Sequence, residues 1–255
     1  MLTDTHCHLY DEAFRDDFDA VLERAREADL DFCVMPGIDR SVHEAMLRTA
    51  DALPGFALPC IGLHPTSVGP DWEEELDFVR THLGDRRWAA VGEVGLDEYW
   101  SKDFVKEQSR VLEEQIVLAA EAGQPLIIHL REATDDFLQV LSDLRGVTFR
   151  AVLHAYTGSY ELYRRFLSLG DFKFGIGGVV TFKNAGLAAT VERMSLDDIL
   201  TETDCPWLTP APYRGKRNEP SYVRYVAEKI AQIKNMPLAE VAAAATDNAR
   251  RFFQS

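Results

Sequence analysis

Trp88-Ala89-Ala90-Val91-Gly92-Glu93, an amphipathic stretch over Val105–Ala122, and Pro125-Leu126-Ile127-Ile128-His129 follow one another along the chain. The two short runs are apolar almost throughout, and each ends on a polar residue. Between them, apolar residues recur at helical spacing. Strand, helix, strand in that order implies two parallel strands, and an unbroken apolar run suits a strand covered on both faces. The same alternation extends in both directions. Earlier runs are Met1–His6, Asp31–Met35 and Ala57–Leu63, each followed by a helical pattern. Later ones are Phe149–His154, Phe172–Ile176 and Ile199–Thr203, the last followed by helices near Tyr222–Lys234 and Leu238–Phe253. Eight strand–helix units predict a (β/α)8 TIM barrel with an extra C-terminal helix, as one α/β domain over residues 1–255. An open doubly wound sheet is the competing architecture, and the count of eight favours closure.

Bulk composition narrows the function classes. The chain has 255 residues, 46% of them hydrophobic, enough for a sizeable core. No apolar run has transmembrane length and no secretory leader is evident, so no membrane partner is expected. Four scattered cysteines without a Cys-x-x-Cys spacing read as reduced thiols in a cytoplasmic protein. A net charge of −15 argues against a protein that coats nucleic acid through its whole surface.

The polar residues of the apolar runs gather at their C-terminal ends. His6 and His8 close the first, and His64 follows the third. Glu93, His129 and His154 close the fourth, fifth and sixth, and Glu202 and Asp204 close the eighth. In a parallel barrel these ends share one face, where active sites lie in this fold. His129 and His154 also suit core positions satisfied by a carbonyl. Glu93 is harder to explain that way, because a carboxylate in an apolar strand is costly unless paired. Four histidines, a glutamate and an aspartate form a ligand set for divalent metal. Six ligands exceed one ion's needs and predict two, with Glu93 as the bridge. The ions are Zn, Mn or Mg. Asp204 is the candidate catalytic residue that orients or deprotonates a water, and Glu202 supports a ligand from behind.

Two ions add four positive charges to a site carrying about two negative ones, so the pocket attracts anions even in an acidic protein. Pro212–Pro220 holds three cations just past Asp204. His64, Arg131, Lys216, Arg217 and Asn218 are therefore candidates for phosphate contact. Tyr99, Trp100, Tyr156, Tyr160 and Tyr213 fall in loops of that face, where they either stack on bases or pack locally. His43 and His82 sit on helical patterns and read as solvated.

Several segments resemble the TatD family of metal-dependent deoxyribonucleases. They are Asp4-Thr5-His6-Cys7-His8-Leu9, Gly62-Leu63-His64-Pro65, Val91-Gly92-Glu93-Val94-Gly95-Leu96-Asp97, Ile127–Ala133, Gly175–Ala185, Glu202–Leu208 and Pro212–Pro220. The resemblance implies a TIM barrel whose metal ligands are His6, His8, Glu93, His129, His154 and Asp204. It also implies 3′-to-5′ exonuclease or endonuclease activity on DNA, or another hydrolytic activity; the expected substrate is DNA at single-stranded or 3′ ends, and no obligate protein partner is expected. Ala155-Tyr156-Thr157 and Cys205 depart from the family pattern and concern the pocket lining. Glu93 stands where phosphotriesterase-like relatives use a modified lysine. The alternatives are a hydrolase of a small ester, amide or cyclic amide, and a non-catalytic metal-binding scaffold.

Overall fold

The structure is a computed structural model that describes residues 1–183 and 185–254; Asn184, in the Gly175–Ala185 motif, and Ser255 lie outside them. Strand and helix alternate throughout. In order they are β1 (Leu2–Asp4), α1 (Phe18–Glu27), β2 (Leu30–Met35), α2 (Arg40–Ala52), β3 (Ala57–Pro59), α3 (Trp72–His82), β4 (Val91–Asp97), α4 (Val105–Ala122), β5 (Leu126–Arg131), α5 (Thr134–Asp143), β6 (Arg150–Leu153), α6 (Tyr160–Leu169), β7 (Asp171–Ile176), α7 (Leu187–Arg193), β8 (Ile199–Thr201), α8 (Val223–Lys234) and α9 (Leu238–Phe253). Local chemistry sets many of these limits. Ser159 Oγ accepts from Leu162 N and starts α6. Gly123, in the left-handed region at φ 66°, ends α4 where another residue would be strained.

The strands pair in parallel as β1-β2-β3 and β4 through β8. Two seams join these arcs. Between β3 and β4, Ala89 N donates to Pro59 O (2.9 Å) and Gly92 N to Ile61 O (2.8 Å). Between β8 and β1, Thr5 N donates to Thr201 O (3.0 Å), Asp204 N to His6 O (2.8 Å) and His8 N to Cys205 O (2.9 Å). The barrel is closed, as the count of eight runs predicts.

Two boundary differences matter for the site. β1 and β8 are shorter than their apolar runs because beyond Asp4 and Thr201 the backbone bonds to single partners across the seam. His6, His8, Glu202 and Asp204 thus sit just past the strand ends. β4 instead extends to Asp97, since Val94–Asp97 pair in register with Ile128–Arg131.

Strand alternation divides the core. Cys33 and Met35 pack outward with Val21, Leu22 and Met46 of the surrounding helices. Phe32 and Val34 face inward with Ile127, Val152 and Leu200, and Phe252 and Phe253 of α9 complete that cluster. Asn248 fixes α9: its Nδ2 donates to Leu196 O (2.9 Å) and Ile199 O (3.0 Å). Asn248→Ala removes a donor from buried Ile199 O and from half-buried Leu196 O, which keeps Ile199 N, and the expected loss is about 1–3 kcal/mol. Thermal unfolding followed by circular dichroism should show a Tm lower by roughly 2–10 °C; an unchanged Tm would refute this anchoring role.

Candidate metal centre

Eight side chains converge at the carboxyl ends of the strands. Glu93, from β4, is at their centre and almost wholly buried. Its Oε2 lies 3.1 Å from His6 Nε2. Its Oε1 lies 2.8 Å from His154 Nε2, 3.0 Å from His129 Nδ1 and 3.3 Å from His64 Nε2. Asp204 Oδ1 lies 3.6 Å from His6 Nε2 and 3.5 Å from His8 Nε2. The His6 and His154 rings stack with centroids 3.8 Å apart.

Electrostatics follow from this crowding. Burial pushes the Glu93 carboxyl up, but the imidazoles of His154, His64 and His6 outweigh it and hold Glu93 well below the usual carboxylate range. Burial likewise opposes ionisation of Asp204, and its contacts with His8, His6 and His154 bring it below its ordinary value. Burial lowers His6. His154 is buried too, yet Glu93 and Glu202 raise it well above the ordinary imidazole value.

Further contacts orient the rings. Tyr10 Oη is 2.9 Å from His8 Nδ1 and donates to Pro36 O (2.6 Å). Asp97 Oδ2 is 2.8 Å from His129 Nε2, which leaves Nδ1 to face Glu93. Glu202 Oε1 accepts from Ala155 N and lies 3.7 Å from His154 Nδ1. It fits there because Gly175 has no side chain: a Cβ would stand 1.9 Å from Glu202 Oε2.

These donors suit a divalent cation. His6 Nδ1 and Nε2, His154 Nδ1 and Glu202 Oε2 are buried without a hydrogen-bond partner, a costly state for polar atoms. The ligand atoms of His6, His8 and Glu93 lie within 4.8 Å of one another, as do those of His64, Glu93 and His129, and of His6, His154 and Glu202. A fourth such set, Asp4, Cys7 and Cys205, differs in kind. Asp4 already accepts from Thr203 N (2.9 Å) and Thr203 Oγ1 (2.5 Å), and burial pushes both thiols up.

The structure thus brings His6, His8, Glu93, His129, His154 and Asp204 together, with Glu202 behind His154 and His64 beside Glu93. The phosphate candidates divide. Arg131 and Lys216 form no ion pair among the described residues; the Arg131 guanidinium lies 3.6 Å from the Tyr99 ring centroid. Arg217 and Asn218, expected at a phosphate, are instead bound within the protein. Arg217 makes a two-pronged pair with Asp17 (both 2.7 Å) and donates to Ala13 O, so it ties its loop to the start of α1. Asn218 is fully buried, and its amide donates to Thr203 O (2.8 Å) and Trp207 O (2.6 Å). Of the stacking candidates, Tyr156 is buried and Tyr213 stacks on Tyr222. Asp97, Tyr10 and Trp207 went unpredicted. Asp97 carried a signal, since it stands an even number of residues from Glu93 in one strand.

A closed (β/α)8 barrel with a histidine–carboxylate cluster at its carboxyl face has the architecture of a metal-dependent hydrolase. The family model described as TatD related DNase matches residues 3–254. A metal-dependent hydrolase of Bacillus subtilis, YabD, is 40% identical over 255 residues, covering 100% of this chain and 99% of its own. A 3′-5′ ssDNA/RNA exonuclease, TatD of Musicola paradisiaca, is 30% identical over 257 residues, covering 98% and 97%. The crystal structure of YJJV, a TatD homologue from Escherichia coli, superposes with a TM-score of 0.90 at 28% identity, covering 100% and 98%. The chain belongs to the TatD-related DNase family and is a metal-dependent hydrolase.

Asp97→Asn removes the carboxylate that orients His129. Metal affinity should fall about 10–100-fold, measured by chelator competition with the circular dichroism spectrum retained. Wild-type affinity would show that Asp97 does not orient a ligand.

Proposed function

We propose that the protein removes nucleotides from the 3′ ends of single-stranded DNA with two divalent metal ions, and that it works in the cytosol. The observation that carries this reading is the division of Glu93. One oxygen faces His6 and the other faces His64, His129 and His154. One carboxylate thus meets two donor sets, the first completed by His8 and Asp204. His6, His8, Glu93 and Asp204 would hold one ion, and Glu93, His129 and His154 the other. Bound ions of this kind lower the pKa of water and withdraw charge from a phosphoryl oxygen.

The remaining work falls to the chain's own groups. Asp204 is the base: its carboxyl is held below the usual range and so is ionised, and its side chain keeps 15% of its surface open. It accepts the proton of the attacking water at Oδ1 or Oδ2. Glu202 fixes His154 and the backbone at Ala155. Arg131 and Lys216 supply positive charge at the rim for a phosphate backbone, which the chain's net charge of −15 does not. The name of the Musicola relative supports the direction of cleavage and the single-stranded substrate. Four free, buried cysteines suit a reducing compartment. Among the described residues, no helix is long and apolar enough to cross a membrane.

A 5′-labelled single strand incubated with Mg2+, Mn2+ or Zn2+ should shorten stepwise from its 3′ end and stop on chelation. Asp204→Asn should keep the fold and lose about 10²–10⁴-fold in turnover. Equal turnover by the variant refutes the base. Hydrolysis of an ester or hydantoin but not of DNA refutes the nuclease.

A further inference from the structure

Six large hydrophobic side chains are conspicuously exposed among the described residues: Met1, Tyr99, Trp100, Leu169, Trp207 and Leu208. Isolated cases need no explanation. Four of the six, however, form two pairs, and each pair lies in the loop that leaves a strand at the metal face, two residues past β4 and six past β8. Tyr99 and Trp100 follow β4 and are 50% and 69% exposed; Trp207 and Leu208 follow β8 and are 51% and 39% exposed. In a closed barrel of eight sequentially ordered strands, β4 and β8 are four strands apart either way round. The two pairs therefore flank the mouth from opposite sides.

Each pair is coupled to the site. Asp97 Oδ1 accepts from Tyr99 N (2.9 Å) and Trp100 N (3.1 Å), while Oδ2 of the same carboxylate holds His129. The Trp207 ring meets the His8 ring edge-on at 5.0 Å, and its backbone N donates to Asp204 O (2.9 Å). Each side also carries a cation that forms no ion pair among the described residues: Arg131 over Tyr99, and Lys216 near Tyr213.

We infer that Tyr99–Trp100 and Trp207 are two stacking stations that hold unpaired nucleobases on either side of the metal centre, with Arg131 and Lys216 on the phosphates of the same strand. The inference rests on the nuclease reading and deepens it. Flat apolar faces flanked by cations match bases joined by phosphates, and base–aromatic stacking tolerates any sequence. A duplex keeps its base faces covered within the stack, so it engages neither station. A small ester has no use for recognition on both sides of the mouth.

The test uses the metal-loaded enzyme and a labelled oligothymidylate. Trp100→Ala and Trp207→Ala should each raise KM about 10-fold, with kcat changed far less, and Trp100→Phe and Trp207→Phe should restore most of the affinity. Wild type should lose the same affinity on a strand with abasic residues near its 3′ end, and the alanine variants should no longer distinguish abasic from intact strands. Alanine variants with wild-type KM that still discriminate overturn the inference and leave the nuclease reading standing. A fall in kcat at constant KM also overturns it, since that marks support of the metal ligands rather than of bases. A wild type that degrades no single strand with any of the ions overturns the nuclease reading itself.

Discussion

The seam between β8 and β1 is the contact on which the site depends. It joins residues almost two hundred positions apart, and it aligns His6 and His8 with Asp204 to within hydrogen-bonding detail. Asp204 N reaches His6 O, and His8 N reaches Cys205 O. Beneath them, Asp4 has no exposed surface and binds both the backbone and the hydroxyl of Thr203. Burial above all, with the nearby Glu202 charge, holds the Asp4 carboxyl well above its ordinary value against the hydrogen bonds from Thr203 and His6. A group so costly to bury is retained where it fixes register: a slip of one residue would leave it without partners and turn the ligands away from one another.

Above the seam, the chemistry concentrates on one carboxylate. Glu93 is ringed by imidazoles that compete for its two oxygens, and the groups behind them settle which ring nitrogen points inward. Asp97 does so for His129, Tyr10 for His8 and Glu202 for His154. The cluster leaves both His6 ring nitrogens without a hydrogen bond, although Nε2 stands 3.1 Å from Glu93 Oε2. Polar atoms in that condition prepare a place for a cation, and the seam's hydrogen bonds hold the segment that carries them just past the end of β1.

The barrel and the gathering of polar side chains at one of its ends were legible in sequence for one reason. A polar residue at the end of an apolar run is expensive, and the expense recurs at one end of nearly every strand. His129 and His154 each allowed a bland explanation singly, and only their common position decided between readings. What could not be read depends on contacts distant in sequence. Arg217 looked available because its partner, Asp17, is two hundred residues away. Asn218 looked like a surface amide because nothing local shows that it is enclosed by Thr203 and Trp207. Trp207 gave no hint of its exposure, since nothing in Pro206-Trp207-Leu208 shows whether the ring packs or stays open. Strand limits shifted where pairing, not hydrophobicity, sets them, as in the extension of β4 to Asp97.

The inward-facing cluster is completed by Phe252 and Phe253 of α9. These rings sit with Phe32, Val34 and Leu200, so the floor beneath the ligands is finished by a helix made after every strand. During synthesis the histidines at residues 6 and 8 precede Asp204 by almost two hundred residues. Neither Asp204 nor the aromatic floor exists for them until late in synthesis. The cluster of His6, His8 and Asp204 over its aromatic floor is therefore complete only when nearly all of these residues have been joined.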